Sequence, residues 1–153
     1  MNIAMLLDNE FTADPRVNNE AMMLAKAGHQ VHIICLNHGK QKTFEQKGNV
    51  YIHRFFIPEK IKKIIFLLQF VFPLFQWFWF LNGRKIIRRY RIGAIHAHDL
   101  YMARPALMLK RALHLPVILD LHENYPAALD AYTWAHRFPA RWIYKVQYWI
   151  NLE

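Results

Sequence analysis

Five short runs dominated by apolar residues constrain this chain more than any other feature: Ile3 to Leu7, Val31 to Leu36, Val50 to Ile57, Ala94 to Ala97 and Val117 to Leu121. Runs in which polar and apolar residues do not alternate mark strands covered on both faces, the situation of parallel strands. The segments between them have another period. After the first run, Asp14 offers an N-cap side chain and Pro15 a first-turn residue, Val17, Ala21, Leu24 and Ala25 recur at helical spacing, and Gly28 supplies a stop. Strands alternating with helices imply right-handed crossovers and a doubly wound parallel α/β sheet, with an expected strand order of 3-2-1-4-5.

Two of these strands end in residues suited to chemistry. Ile95-His96-Ala97-His98-Asp99 and Val117-Ile118-Leu119-Asp120-Leu121-His122-Glu123 both switch from apolar residues to histidine and carboxylate where a strand should stop. In an open α/β sheet, ligands bind in the crevice outside the carboxyl ends of the strands, so a site is expected around His98, Asp99, His122 and Glu123. Plainer readings stand beside this one. Asp99 and Glu123 each precede a helix start, where a carboxylate caps the helix and meets its dipole; for Glu123 acceptor-hydroxyl binding is an equal alternative, whereas Asp99 is read first as a cap. His96 and His98 share a strand face by period two, with His122 on the neighbouring strand, which invites a metal reading. No further ligand has convincing spacing, and no metal is expected. Asp120, beside Leu121, is expected to act through stability. Arg16 is a candidate for an anionic group of acceptor or donor, or else a surface arginine beside a helix. Gly28 and Gly93 read as turn residues.

With 54% hydrophobic residues and no low-complexity stretch, the chain can bury a core of ordinary size for one domain. Its single cysteine, Cys35, lies in an apolar run, and no signal-peptide pattern precedes the first strand, so a reducing cytoplasm is expected. The formal net charge of +9 points to an anionic partner. The stretch from Ile64 to Asn82 carries no charge and is dense in phenylalanine and tryptophan, with Lys60, Lys62 and Lys63 before it and Arg84, Lys85, Arg88, Arg89 and Arg91 after it. A membrane span there would separate strands that must pair, and its basic flanks lack the asymmetry of a span. Two readings remain: a Pro73-bent helical segment in the headgroup region, with Trp77, Trp79 and Phe80 inserted and Lys62, Lys63, Arg84, Lys85, Arg88 and Arg89 on anionic lipid, or a crossover helix buried against the sheet. The first is preferred, because so many adjacent aromatics cannot all face one sheet. Pro139 to Leu152 reads as an aromatic-rich helix.

Taken in order, Asn2-Ile3-Ala4-Met5-Leu6-Leu7-Asp8, Phe11-Thr12-Ala13-Asp14-Pro15-Arg16-Val17, Ala27-Gly28-His29-Gln30-Val31, His96-Ala97-His98-Asp99 and Asp120-Leu121-His122-Glu123 resemble the N-terminal half of family-four retaining glycosyltransferases of the GT-B fold. The resemblance runs from Met1 to about Glu123 and is weak between Gly39 and Arg91. It implies two Rossmann-like domains facing each other across a cleft, the C-terminal one supplying most nucleotide-sugar contacts. At 153 residues the chain has room for one domain. It is expected to be the acceptor-side Rossmann-like domain over residues 1–153, with an apolar, basic-flanked insertion at about 60–91 and the donor domain absent.

The resemblance also places His122 at the histidine that closes this strand and faces the sugar, which makes it the expected catalytic residue; from local pattern alone it would be a strand-end hydrogen-bonding group. Transfer with retention develops positive charge at the anomeric carbon and negative charge on the leaving diphosphate, so oriented hydrogen bonds matter more than a strong base. Arg16, His98, Asp99 and Glu123 are the expected substrate-binding residues. The loop from Asp8 to Arg16 lacks the paired glycines of many relatives, which puts close backbone contact with the donor in doubt.

The expected function is transfer of a sugar from a nucleotide-sugar donor to a membrane-associated or saccharide acceptor in polysaccharide or glycolipid assembly, at the inner face of the cell membrane, with no tightly bound cofactor. The alternative is a non-catalytic membrane-associated module that binds sugar or a partner. Nucleic acid is not expected, since the basic residues bracket an apolar run and no binding motif accompanies them.

Overall fold

The computed structural model describes residues 1–12, 14–68 and 72–121. The elements in chain order are β1 (Asn2–Leu6), α1 (Pro15–Lys26), β2 (Gln30–Asn37), β3 (Phe44–Lys47), β4 (Val50–Phe56), α2 (Glu59–Leu68), α3 (Leu74–Arg89), β5 (Ala94–His98), α4 (Leu100–Leu113) and β6 (Val117–Asp120). The sheet order is β3-β4-β2-β1-β5-β6, with every pair parallel except β3 with β4. All five expected strands are present with their expected neighbours. The short edge strand β3 is the addition.

Period-two alternation in the central strand divides the core in two. Ala4 and Leu6 face one side with Ile34, Leu36, Ile95 and Ala97, where Trp79 and Ile86 of α3 and Met102, Ala106 and Leu109 of α4 cover them. Met5 and Leu7 face the other side with Val31, Ile33 and Cys35, beneath Val17 and Ala21 of α1. Each large apolar side chain so buried contributes about 1.5–3 kcal/mol. Burial also pushes the Cys35 thiol up to about 12, so it is an inert packing residue. On the α3 side, His32 Nδ1 and His53 Nε2 lie 3.1 Å apart in a buried stack with Tyr51 and Tyr90.

Local signals explain the element ends. Asp14 caps α1 through a 3.1 Å bond from the Val17 N–H, and Pro15 occupies the first turn. Gly48, at φ +57°, turns β3 into β4. The buried Arg54 then pins that edge: Nη1 donates to Glu45 Oε1 at 2.6 Å and to the Lys42 carbonyl at 3.1 Å, and Nε donates to the Glu10 carbonyl at 3.1 Å.

The greasy middle of the chain breaks into α2 and α3 around Pro73, which sits at the N-cap of α3. The segment is the crossover from β4 to β5, and its side chains divide by face into buried and exposed sets. Phe75, Gln76, Trp79, Gly83, Ile86 and Ile87 are buried. A Cβ on Gly83 would come within 2.9 Å of Leu109 Cδ1, so the missing side chain is what lets α3 approach α4. The opposite face exposes Leu74, Trp77 and Leu81, followed by Lys85 and Arg88, while α2 exposes Ile61, Ile64 and Leu68.

Trp79 therefore leaves the expected membrane-facing set. It is fully buried, edge-on to Phe75 and Phe78. Two positions along a helix turn the side chain by roughly 200°, so Trp77 and Trp79 cannot share a face. Phe80 is half-buried against the core. Among the described residues no helix is long and apolar enough to cross a membrane.

Candidate functional site

The chain direction reverses between β1 and β5: α1 carries it one way to β2, and α2 and α3 carry it back across the other face. The crevice of a doubly wound sheet opens at that switch point, outside the carboxyl ends of the strands. Asp8 follows β1, His38 follows β2, Asp99 follows β5, and Asp120 ends β6.

On the β2 side of the switch point, Asp8, His38, Glu59, Lys62 and Lys63 line an open cavity of about 400 Å³. Lys62 Nζ donates to the Asp8 carbonyl at 2.5 Å and lies 3.4 Å from Asp8 Oδ2. This corrects the expected lipid contact of Lys62, since its ammonium is tied to the end of β1. Lys63 reaches outward and pairs with Glu59 at 2.7 Å, and that hydrogen bond holds the exposed Glu59 carboxyl below its ordinary range. His38 is anchored at both ends: its backbone N–H donates to Glu10 Oε1 at 2.7 Å, and Nδ1 meets the Ile57 carbonyl at 2.8 Å. A carbonyl can only accept, so Nδ1 is the donor in this bond.

On the β5 side, α1 closes over the histidines. His96 and His98 point to the α1 face, because Ile95 and Ala97 are packed on the other. Their rings are 4.2 Å apart between centroids. Glu20 Oε2 lies 4.0 Å from His96 Nδ1 and 3.9 Å from His98 Nε2, and Asp120 Oδ2 lies 3.6 Å from His98 Nδ1. His98 is fully buried and turned toward these carboxylates, so it supports the edge of the crevice and is not placed to touch a substrate as expected. Arg16 stands one turn before Glu20 on the same face of α1, and its Nε is buried without a hydrogen bond among the described residues.

Asp99 occupies the N-cap position of α4, but its side chain makes no cap bond, contrary to the cap reading. Its backbone is held at φ 69° and ψ 154°, a region that belongs almost entirely to glycine. The constraint comes from both directions: the Asp99 N–H donates to the Asp120 carbonyl at 3.0 Å, and the Asp99 carbonyl accepts from Met102 N–H at 3.1 Å. Strain of this kind is retained where surrounding structure over-determines it, commonly beside a functional crevice. His122 and Glu123 lie outside the described residues, as does the expected helix from Pro139 to Leu152.

The sequence profile of Glycosyltransferase Family 4 matches residues 16–152. The chain belongs to that family. It corresponds to the family's N-terminal domain, with the Rossmann-like α/β architecture of one half of a GT-B enzyme. The fold is similar to that of sucrose-phosphate synthase from Thermosynechococcus elongatus, with a TM-score of 0.69 and 15% identity over 95% of this chain and 39% of that one. A second structure of that synthase gives a TM-score of 0.59 at 15% identity, over 85% of this chain and 68% of that one. The family-4 chain thus spans about two fifths of the first synthase structure. No curated protein matches the sequence.

Glu20 and Asp120 are the site-edge residues that sequence reasoning missed in this family-4 domain. Asp120 had a signal, since pairing of the β5 and β6 runs sets it opposite His98. Glu20 had only its spacing of four from Arg16, which an exposed helix face produces equally well.

Proposed function

We propose that this family-4 domain is the acceptor-side half of a retaining glycosyltransferase, which moves a sugar from a nucleotide-sugar donor to a membrane-associated acceptor in polysaccharide or glycolipid assembly at the cytoplasmic face of a membrane. One observation carries the reading: α2 contributes Glu59, Lys62 and Lys63 to the cavity at the strand ends, and Ile61, Ile64 and Leu68 to an exposed apolar face. A lipid-anchored acceptor presented at that face would reach the cavity without leaving the bilayer surface. The α3 stripe fits the same surface, with Leu74, Trp77 and Leu81 for the acyl boundary and Lys85 and Arg88 for anionic headgroups, each basic residue adding about 1 kcal/mol near the surface.

His122 is the proposed catalytic residue, supplying an oriented hydrogen bond at the sugar. Arg16, Asp99 and Glu123 are proposed to bind substrate. The donor's diphosphate is stabilised mainly by the opposing domain, and transfer itself calls for no resident cofactor.

The test is an activity comparison in the two-domain enzyme. Trp77→Ser with Leu81→Ser should lower transfer to an acceptor embedded in anionic vesicles about tenfold or more, and leave transfer to a water-soluble acceptor analogue unchanged. Equal rates on the vesicle acceptor would remove the membrane part of the reading. Absence of transfer to either acceptor by the unsubstituted enzyme, with vesicle binding retained, would favour the non-catalytic binding module.

A further inference from the structure

We infer that Glu20, His96, His98 and Asp120 form a binding site for one first-row divalent transition-metal ion, of the zinc type, which clasps α1 to β5 and β6 beside the crevice. One ligand atom from each of the four residues lies within 4.8 Å of the others. The individual separations of 3.6, 3.9 and 4.0 Å between imidazole nitrogens and carboxylate oxygens are too long for hydrogen bonds. They suit a shared ion better. Only one nitrogen of His98 can ligate a given ion, so the 3.9 Å separation from Nε2 and the 3.6 Å separation from Nδ1 are alternatives, and the four donor atoms of one set lie within 4.8 Å of one another. Donor atoms roughly 4–5 Å apart at the corners of a tetrahedron lie about 2.4–3 Å from its centre, and rotamer adjustment of the partly exposed carboxylates brings this to the 2.0–2.2 Å of zinc bonds to nitrogen and oxygen.

The donor chemistry selects the class of ion. Two imidazoles with two carboxylates match zinc and its neighbours, whereas calcium and magnesium call for oxygen alone. The ligands come from three elements that the fold brings together independently. Period two aims both histidines at α1, strand pairing sets Asp120 opposite His98, and the packing of Val17 and Ala21 on the sheet turns Glu20 inward. His98 is fully buried while the other three are half-buried, which leaves an entry path on their side. An ion here would replace clustered histidines and carboxylates with coordinate bonds, and would fix the first turns of α1 and with them Arg16. The inference is independent of glycosyl transfer.

The 153-residue chain, stripped of metal with a chelator and dialysed, can be titrated with zinc against a chromophoric competitor, alongside Glu20→Gln and His96→Asn. The expected result is one zinc per chain with no competition from magnesium, affinity lowered at least about 100-fold in each variant, and a zinc-dependent rise in melting temperature that both variants lose. Should His96→Asn fail to fold, the partly exposed Glu20→Gln carries the comparison. Equal zinc binding by the unsubstituted chain and the variants would assign the metal to other histidines and overturn the site, as would no stoichiometric binding at all.

Discussion

At the residue scale, the backbone of Asp99 and the side chain of His122 separate two kinds of importance. Asp99 is held at φ 69°, so Asp99→Gly and Asp99→Ala, which both delete the carboxylate, should differ in stability. Glycine relieves the strained backbone and alanine retains it, and denaturant midpoints should favour the glycine variant by about 1–2 kcal/mol. Equal midpoints would mean that the backbone relaxes at no cost. For His122 the expectation reverses: His122→Ala in the two-domain enzyme should lower turnover by about two orders of magnitude, the scale of one aligned transition-state contact, with little change in melting temperature. Near-normal turnover would pass the role to Glu123. The polar ends of the strands were legible in the sequence because an apolar run that stops at histidine and carboxylate has no packing reason to do so. The direction in which His98 faces was not legible, since it depends on α1 arriving overhead and on β6 aligning Asp120 with it.

At the scale of elements, α3 shows how far composition reaches. Its wealth of aromatics identified a helix with too many large side chains for one interface, and the structure divides them between the core and the exposed stripe. Which aromatic goes where was hidden, because the phase of a helix about its axis is set by what it packs against, here the sheet face of Leu6, Leu36 and Ala97. Two single substitutions read this phase directly. Trp79→Ser should cost about 3–5 kcal/mol, since it empties a fully buried site, whereas Trp77→Ser should change stability by less than about 0.5 kcal/mol and weaken vesicle binding. Thermal melts of the pair, run with cosedimentation on anionic vesicles, distinguish them. Equal loss of stability would contradict the assignment of faces. Strand β3 escaped the sequence for the opposite reason: Phe44-Glu45-Gln46-Lys47 is mostly polar and exposed, and backbone pairing with β4 defines it, which residue pattern barely reports.

At the scale of the whole molecule, the sheet buries two neutral histidines that respond to acid. Burial lowers both His32 and His53 from an ordinary 6.5 to about 4, and for His53 the neighbouring His32 and Arg89 charges push the same way. The unfolded chain takes up these protons first as pH falls. Stability should therefore be complete above about pH 6.5 and decline progressively to about pH 4, a slope that His32→Phe should flatten if measured by urea midpoints across that range. A midpoint that stays flat from pH 7 to pH 4.5 would show that the pair opens to water.

The bond from Lys62 to the end of β1 gives the molecule a lever. Were α2 to rest on a lipid surface as proposed, a shift of α2 there would be passed through this bond to Asp8 at the cavity, and a ligand that repositions Asp8 would act back on α2. Linkage makes such traffic reciprocal in free energy: an acceptor bound more tightly on the bilayer must hold the protein to the bilayer more tightly by the same factor. A domain built this way would lengthen its stay on a membrane in proportion to the work waiting for it there, and would let go once the acceptor is used up.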